Sequence, residues 1–483
     1  MVLPISYKIS TEIPDTYMEK LFSFLYSQYL LPQKKRFANF YRKTIDGVPF
    51  LSYSILDNRG KEALKAQVRG TTPIEVKLEP IDGKLHDGAL EEAKQDVVIA
   101  VQIFEEQARK STLYFAWREG EEIVPEELKT REKSFRRLFL ETQILFFVVF
   151  IALGMIIFFI LGSIYPDAFW IAPIVLIIVQ FIFVFYSAKF IARTADWHIT
   201  SNNPSIHLLK YNLPIKPNYE LKKTLKRSQV LEIKKEIYDK ILSQRGEIDC
   251  ESAQKIFGKH GIPCQPENLS VKKVNVYELV RRVAGKFGFP VPKIVVSNTM
   301  VPNAAAAGPS PSRGVVLITT GLLVQLEEDE VASVLGHEFG HLKGKDPLLL
   351  YGLTSAEFLF RFYVLFPLFP IIFSTLLFIV YFWAVMVAIF FIAKFFEARA
   401  DLVSAKEMGN PKVLAGALEK IGFQRLLYER TPSFRIQEWL GLDAHPPIYF
   451  RVRRLEKLKT PERIRNPLVQ SIKDVIAGFR SSF

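Results

Sequence analysis

The stretch GHEFGHLKGKD, Gly336 to Asp346, places two histidines four residues apart, with a glutamate directly after the first. Four residues is about one helical turn, so on a helix both imidazoles face the same way and can reach one metal ion. The adjacent glutamate then addresses water at that ion. The flanking sequence LEEDEVASVLGHEFGHL supports a helix. Its acids stand in the first turn, where they suit the helix dipole, and Val331, Val334 and Leu335 form a buried side. With seven histidines in the chain, a chance HExxH has odds on the order of one in a hundred. His337 and His341 are therefore read as metal ligands, Glu338 as general base and Zn²⁺ as the metal.

Catalytic zinc takes three protein ligands and leaves a fourth position to water. KFFEARAD, Lys394 to Asp401, offers Glu397 as the third ligand. Asp401, four residues on, can accept a hydrogen bond from a ligand histidine and so fix its tautomer. An ExxxD pattern alone usually marks a solvated helix face. Its weight comes from position, because the segment between His341 and Glu397 is an apolar hairpin that returns both ends to one side of a membrane.

The wider chain supports that membrane. It has 483 residues, is 49% hydrophobic with positive mean hydropathy, and contains 40 phenylalanines and 18 tyrosines. Thr142 to Pro166 and Ala168 to Ala188 are uncharged and each long enough to cross a hydrocarbon core of roughly 30 Å. Arg131, Lys133, Arg136 and Arg137 before the pair, and Lys189 and Arg193 after it, place both flanks in the cytoplasm by the positive-inside bias. The connecting SIYPD carries no lysine or arginine.

Phe362 to Ala393 has no charge over 32 residues, more than one crossing requires. A hairpin with its turn at FPLFP is the economical reading, since Pro367 and Pro370 obstruct helix hydrogen bonding. Its first leg runs from about Pro347 and carries Glu357 and Arg361, four apart and able to pair. An interfacial helix is the alternative for that leg.

The net charge of +13 fits an anionic membrane surface, and no arginine-rich or aromatic RNA-binding pattern accompanies it. The basic LKKTLKR (221–227) could rest on headgroups, a solvated face being the simpler reading. Cys250 and Cys264 are too few for a disulfide framework and lie in a segment placed in the cytoplasm. Their sharing a metal with His260 is a weak alternative, because the spacing matches no zinc ribbon. The start MVLPISYKISTEIPD lacks the basic and apolar regions of a secretory signal.

The soluble pieces are of mixed type. PIEVKLEPI and STLYFAWRE alternate as strands, and Gly88 to Lys110 has helical periodicity in Leu90, Val97, Val101 and Phe104. A helix is expected over Ser228 to Arg245, capped by Ser228 and stopped near Gly246. The expected fold class is a mostly α membrane protein with four transmembrane helices, a cytoplasmic α+β protease domain and an extra N-terminal α+β domain. The divisions are 1–141 (N-terminal, regulatory, substrate-recruiting or structural), 142–190 (first hairpin), 191–346 (linker and first part of the catalytic domain), 347–395 (second hairpin) and 396–483 (its remainder).

From about Val274 to Leu458 the chain resembles the HtpX-like membrane zinc metallopeptidases, whose relatives include the CAAX prenyl proteases. LITTGLLVQLEEDEVASVLGHEFGHLKGKD is similar to the family's strand, Gly-Leu-Leu helix and HExGHxxxxD motif. EARAD resembles its third-ligand motif and HPPIYFRVRRLEKL its His-Pro motif. VPNAAAAG is similar to its Asn-Ala strand, with alanines where an aromatic often stands.

The resemblance implies a zincin-type (gluzincin) domain with His337, His341 and Glu397 on zinc, Glu338 as base and Asp401 behind a ligand. It also implies His445 beside the substrate carbonyl with Arg451 nearby, and Asn303, Ala304, Ala305 and Ala306 as an edge to which an extended substrate adds as a strand. Expected partners are the lipid bilayer and protein or peptide substrates, misfolded membrane proteins among them, with no nucleic acid. The implied function is a membrane-anchored zinc endopeptidase of membrane-protein quality control. It sits in a multi-pass cell membrane with both termini and the active site cytoplasmic. The alternatives are a CAAX-type prenyl-protein endopeptidase and a non-enzymatic scaffold with a structural metal. The charged flanks EEDE and KGKD speak against a site buried inside the bilayer.

Overall fold

The computed structural model describes residues 4–57, 59–81, 87–118, 143–164, 170–213, 227–244, 246–373, 375–429 and 431–482. The basic flank Arg131 to Arg137, most of the SIYPD turn and LKK to Lys226 lie outside them. Two compact units emerge.

The first unit comprises Met1–Trp117, His207–Lys273 and Glu419–Leu427. Strands β1 (Ile5–Ile9), β2 (Phe37–Ile45), β3 (Val48–Leu56), β4 (Glu62–Arg69) and β5 (Ile74–Pro80) form an antiparallel sheet in the order β1-β5-β4-β3-β2. Period-two alternation builds it. Leu64, Ala66, Val68, Ile74, Val76 and Leu78 all point to one face and are buried. That face is covered by helices α1 (Asp15–Phe24) and α2 (Asp87–Lys110), whose Leu21, Phe22, Val97 and Val101 join the core. Between β2 and β3, Asp46 and Gly47 take positive φ (52° and 77°), the backbone that a two-residue hairpin turn needs.

A second sheet orders Thr112–Arg118, Ser205–Asn212 and Leu269–Asn275, and packs on helices Arg227–Ile237 and Cys250–Lys259. Residue 227 is already helical, so Ser228 stands within the helix and does not cap it. Its hydroxyl comes after the first turn has begun. Cys250 and Cys264 are joined in a disulfide, which removes the alternative of a shared metal with His260, since neither sulfur has a free lone-pair thiolate to offer. Asp249 caps the Cys250 helix, its side chain accepting from Ser252 N–H at 2.8 Å.

The second unit comprises Arg118–Ile206, Val274–Leu418 and Tyr428–Phe483. It opens with helices α3 (Gln143–Ile164) and α4 (Ala172–Thr194) and then strand β6 (Trp197–Ile199). Helix α5 (Val276–Lys286) follows, with its amphipathic face on Val276, Leu279, Val280 and Val283. Strands β7 (Lys293–Ser297), β8 (Ala304–Ala307) and β9 (Val315–Thr319) complete a mixed sheet in the order β8-β9-β7-β6, with β7 and β9 parallel and β8 antiparallel at one edge. The residues of β9, VVLIT, are buried throughout, as a strand covered on both faces requires.

Helix α6 (Thr320–Gln325) leads into α7 (Glu328–Gly344), which carries the HExxH motif. A capping box between Glu327 and Glu330 starts α7, and Lys345 in the left-handed region (φ 54°) ends it. Helix α8 (Asp346–Phe360) departs from that turn. Its helical continuation runs through Leu368 and breaks at Phe369 (φ −135°), inside FPLFP, before α9 (Thr375–Met408) returns. Among the described residues two helices are long and apolar enough to cross a membrane, Asp346–Leu368 and Leu376–Met408. The charged pair within the first of them is satisfied locally. Arg361 lies 3.0 Å from Glu357, which also accepts a 2.8 Å bond from the Tyr381 hydroxyl on α9.

Candidate metal centre

Helix α7 packs against α9 through small residues. Gly336, Gly340 and Gly344 stand four apart on one face of α7. A Cβ on Gly340 would lie 3.0 Å from the Ala400 Cα, and one on Gly336 would lie 2.8 Å from the Ser404 hydroxyl. The two backbones approach so closely only because those side chains are absent. This contact sets His337 and His341 against Glu397, three candidate ligands whose donor atoms lie within 4.8 Å of one another.

The His337 and His341 Nε2 atoms are 3.1 Å apart. The Glu397 carboxylate oxygens reach them at 3.3 Å each. Each ring's other nitrogen is committed to a carboxylate: His337 Nδ1 lies 2.9 Å from Asp401, and His341 Nδ1 lies 2.8 Å from Asp346. A carboxylate only accepts, so each Nδ1 donates its proton, and in the neutral ring that leaves the Nε2 lone pair for a metal. Two ring nitrogens and a carboxylate converging on one buried point, with the other nitrogen of each ring already committed, fit a cation. The residues are of the types and number that catalytic zinc takes.

The electrostatics draw positive charge to this point, so that a proton and a metal ion compete for it. Burial disfavours charge on His341, yet the Glu397 carboxylate, the bond to Asp346 and the charge of Glu338 outweigh it and hold its pKa well above the ordinary imidazole value.

The surroundings hold these groups in place. Arg451 grips Asp401 with two bonds, Nε at 2.9 Å and Nη2 at 2.7 Å, and its Nη2 lies 3.5 Å from His337 Nδ1. Its Nη1 also lies 3.9 Å from the Glu397 carboxylate oxygen that His445 Nε2 approaches at 3.5 Å, so Arg451 and His445 both face that carboxylate. Arg399 donates to Asp346 at 2.6 Å and to the Gly340 carbonyl at 2.9 Å, so a residue that the sequence marks only as a cytoplasmic-side charge also braces the ligand helix. Helix α10 (Ile448–Lys457), which bears Arg451, has its first amide groups of Ile448 and Tyr449 bound at 2.8 Å by the buried Glu429 carboxylate.

Glu338 stands beside the sheet edge. Its Oε2 accepts a 3.0 Å bond from the Ala306 N–H of β8. Since β8 pairs with β9 on one side only, this amide belongs to the free edge. Asn303 lies just before β8, its N–H donating to the Thr319 hydroxyl at 2.9 Å and its carbonyl accepting from Thr319 N–H at 3.1 Å. Ala304 and Ala305 complete the strand. The side chain of His445 is 45% exposed, and its Nε2 reaches to 3.5 Å from Glu397. Its Nδ1 is held by Asp443 at 2.8 Å.

A His-His-Glu set on two packed helices, with a second glutamate at a sheet edge, defines a metal-dependent peptidase. The profile of Peptidase family M48 matches residues 270–459. The chain is 33% identical over 217 residues to a Protease HtpX homolog of Sulfurihydrogenibium sp. (strain YO3AOP1), covering 38% of this chain and 73% of that protein. To the Protease HtpX homolog of Thermococcus sibiricus it is 32% identical over 213 residues, covering 38% and 73% respectively. A crystal structure of S. mikatae Ste24p overlaps at a TM-score of 0.30 and 17% identity, covering 37% of this chain and 49% of that one. The chain belongs to peptidase family M48, and it is a metalloendopeptidase.

Proposed function

We propose that this protein is a zinc-dependent endopeptidase anchored in the cell membrane by two helical hairpins, 142–190 and 347–395, with its site on the cytoplasmic side and unassembled or damaged membrane proteins as substrates. The observation that carries the reading is the convergence of two imidazole Nε2 atoms and the Glu397 carboxylate next to Glu338. The membrane anchor is supported by the outward-facing apolar side chains of the second hairpin, among them Ile371, Leu376, Ile379, Val380 and Trp383. The cytoplasmic side is supported by the lysines and arginines that flank the spans.

His337, His341 and Glu397 would hold the zinc, and Asp401 and Asp346 would keep the two rings in the required tautomer. Bound zinc supplies a positive charge that acidifies water and polarises a peptide carbonyl. Glu338, held at the edge of β8 by Ala306 N–H, removes a proton from the attacking water and returns it to the leaving amine. The free edge of β8 takes an extended segment of substrate by backbone pairing, which reads few side chains and suits a broad set of unfolded chains. His445, on the exposed side of Glu397, faces the oxygen on which charge develops.

The decisive experiment uses full-length protein in detergent, loaded with zinc and given casein. Wild type is expected to cleave it. Glu338→Gln is expected to keep one zinc per chain by elemental analysis and to lose hydrolysis by about 10²- to 10⁴-fold, the usual share of a general base. A Glu338→Gln variant with wild-type turnover defeats the assignment.

A further inference from the structure

Lys394 is fully buried, an expensive position for an ammonium group, and nothing in the chemistry above uses it. It lies on α9 three residues before Glu397, on the same helical face. Its Nζ donates to the carbonyl of Asp443 and, at 3.4 Å, to that of Gly441. These two residues belong to the turn that joins helix Pro432–Leu440 to α10. In the same turn the Asp443 carboxylate accepts from both the N–H and the Nδ1 of His445, each at 2.8 Å. The other ring nitrogen of His445 then lies 3.5 Å from Glu397. A closed circuit results, leaving α9 at Lys394, passing through the Asp443 backbone, the Asp443 carboxylate and the His445 ring, and returning to α9 at Glu397.

The circuit matters because His445 sits on a half-open turn. The turn's backbone is anchored by buried Ala444, but the ring itself is 45% exposed; its Nδ1 is held by the aspartate two residues earlier, and that aspartate's carbonyl is held by the lysine. We propose that Lys394 is a positioning residue for peptide hydrolysis, fastening the Gly441–Asp443 backbone to the ligand helix so that Asp443 holds the His445 ring beside Glu397. The proposal rests on the proteolytic reading of the preceding subsection. Lysine suits the task because one compact ammonium head can serve two carbonyls at once.

A double-mutant cycle tests it in full-length, zinc-loaded, detergent-purified protein acting on a quenched fluorescent peptide. Lys394→Met, Asp443→Asn and His445→Ala are each expected to lower kcat by about 10- to 100-fold, the usual cost of losing an outer-shell partner. KM, zinc content and melting temperature should stay close to wild type. Because the lysine and aspartate act through the histidine, Lys394→Met/His445→Ala and Asp443→Asn/His445→Ala should be no slower than His445→Ala alone. Lys394→Arg, which keeps the charge and the donors, should recover part of the loss.

Losses that multiply in the double variants, or wild-type kcat in Lys394→Met, overturn the positioning role while leaving the peptidase intact. Should Lys394→Met fail to fold, Lys394→Gln, which retains a donor, takes its place in the same cycle. A wild type that cleaves nothing, or a Glu338→Gln variant that cleaves normally, sinks the proteolytic reading and this proposal together.

Discussion

Asp346 and Asp401 perform one task for two different rings, each accepting the Nδ1 proton and so turning Nε2 toward the shared point. Each is backed by an arginine, Arg399 for the first and Arg451 for the second. Replacing Asp346 by asparagine keeps an acceptor but removes the charge that attracts Arg399. Asp346→Asn is expected to weaken zinc binding by about 10- to 100-fold in a chelator competition, and affinity equal to wild type would exclude the role. Of the two aspartates only Asp401 gains its role from spacing, because it shares a helical face with Glu397, whereas Asp346 is legible only as the closing residue of the HExGHxxxxD motif. Asp346 stands in the opening stretch itself, yet the left-handed turn at Lys345 intervenes, and no periodicity reaches across such a turn. Lys394 and Asp443 are hidden for another reason: their partners are backbone carbonyls and a neighbouring ring, contacts that leave no spacing pattern in the chain.

At the scale of elements, the junction of α7 and α9 depends on three glycines. A Cβ at Gly344 would fall 1.7 Å from the Arg399 guanidinium, and one at Gly340 would press on the Ala400 backbone. Gly340→Val is expected to lower stability by about 1–3 kcal/mol or more through overpacking, read as a lower melting temperature together with lost zinc. Gly344→Ala should fold but push Arg399 from Asp346, reproducing the zinc defect of Asp346→Asn; normal zinc affinity in this variant would show that the arginine has room to move. The helices themselves were readable from apolar periodicity and acidic first turns, as were the strands Ile74–Pro80 and Thr112–Arg118 from alternation. The glycine spacing does not announce itself as a packing device, since a glycine four residues from another on a helix has no meaning until the opposing helix is known. The disulfide escaped for a related reason, because two cysteines 14 residues apart state nothing about whether a helix and turn bring them together.

For the whole molecule, that disulfide bears on where the chain works. Disulfides are rare in the cytosol of mesophiles and common inside hyperthermophiles. Protein isolated without reductant and treated with an alkylating reagent is expected to gain no mass at Cys250 or Cys264, and to gain it at both after reduction. Alkylation of both before reduction would show that the bond does not form in the cell. By loop length alone the bond contributes about 3 kcal/mol, so Cys250→Ser should melt at a lower temperature.

A different consequence follows from α9, an unbroken helix from Thr375 to Met408 that includes both an apolar span and the ligand Glu397. At about 1.5 Å per residue it is a rod roughly 50 Å long, with no joint between its apolar part and the part that bears Glu397. Such a rod has no slack. The glycine contact ties His337 and His341 to the same rod, so in a bilayer the depth at which its apolar half settles would set the height of the whole metal group above the lipid, and bilayer thickness would govern its reach to substrate. Reconstituted in membranes of graded acyl-chain length, the enzyme should show a turnover optimum, and the same lipids should leave no trace on its rate once the rod is interrupted by a flexible insert between Ala388 and Lys394.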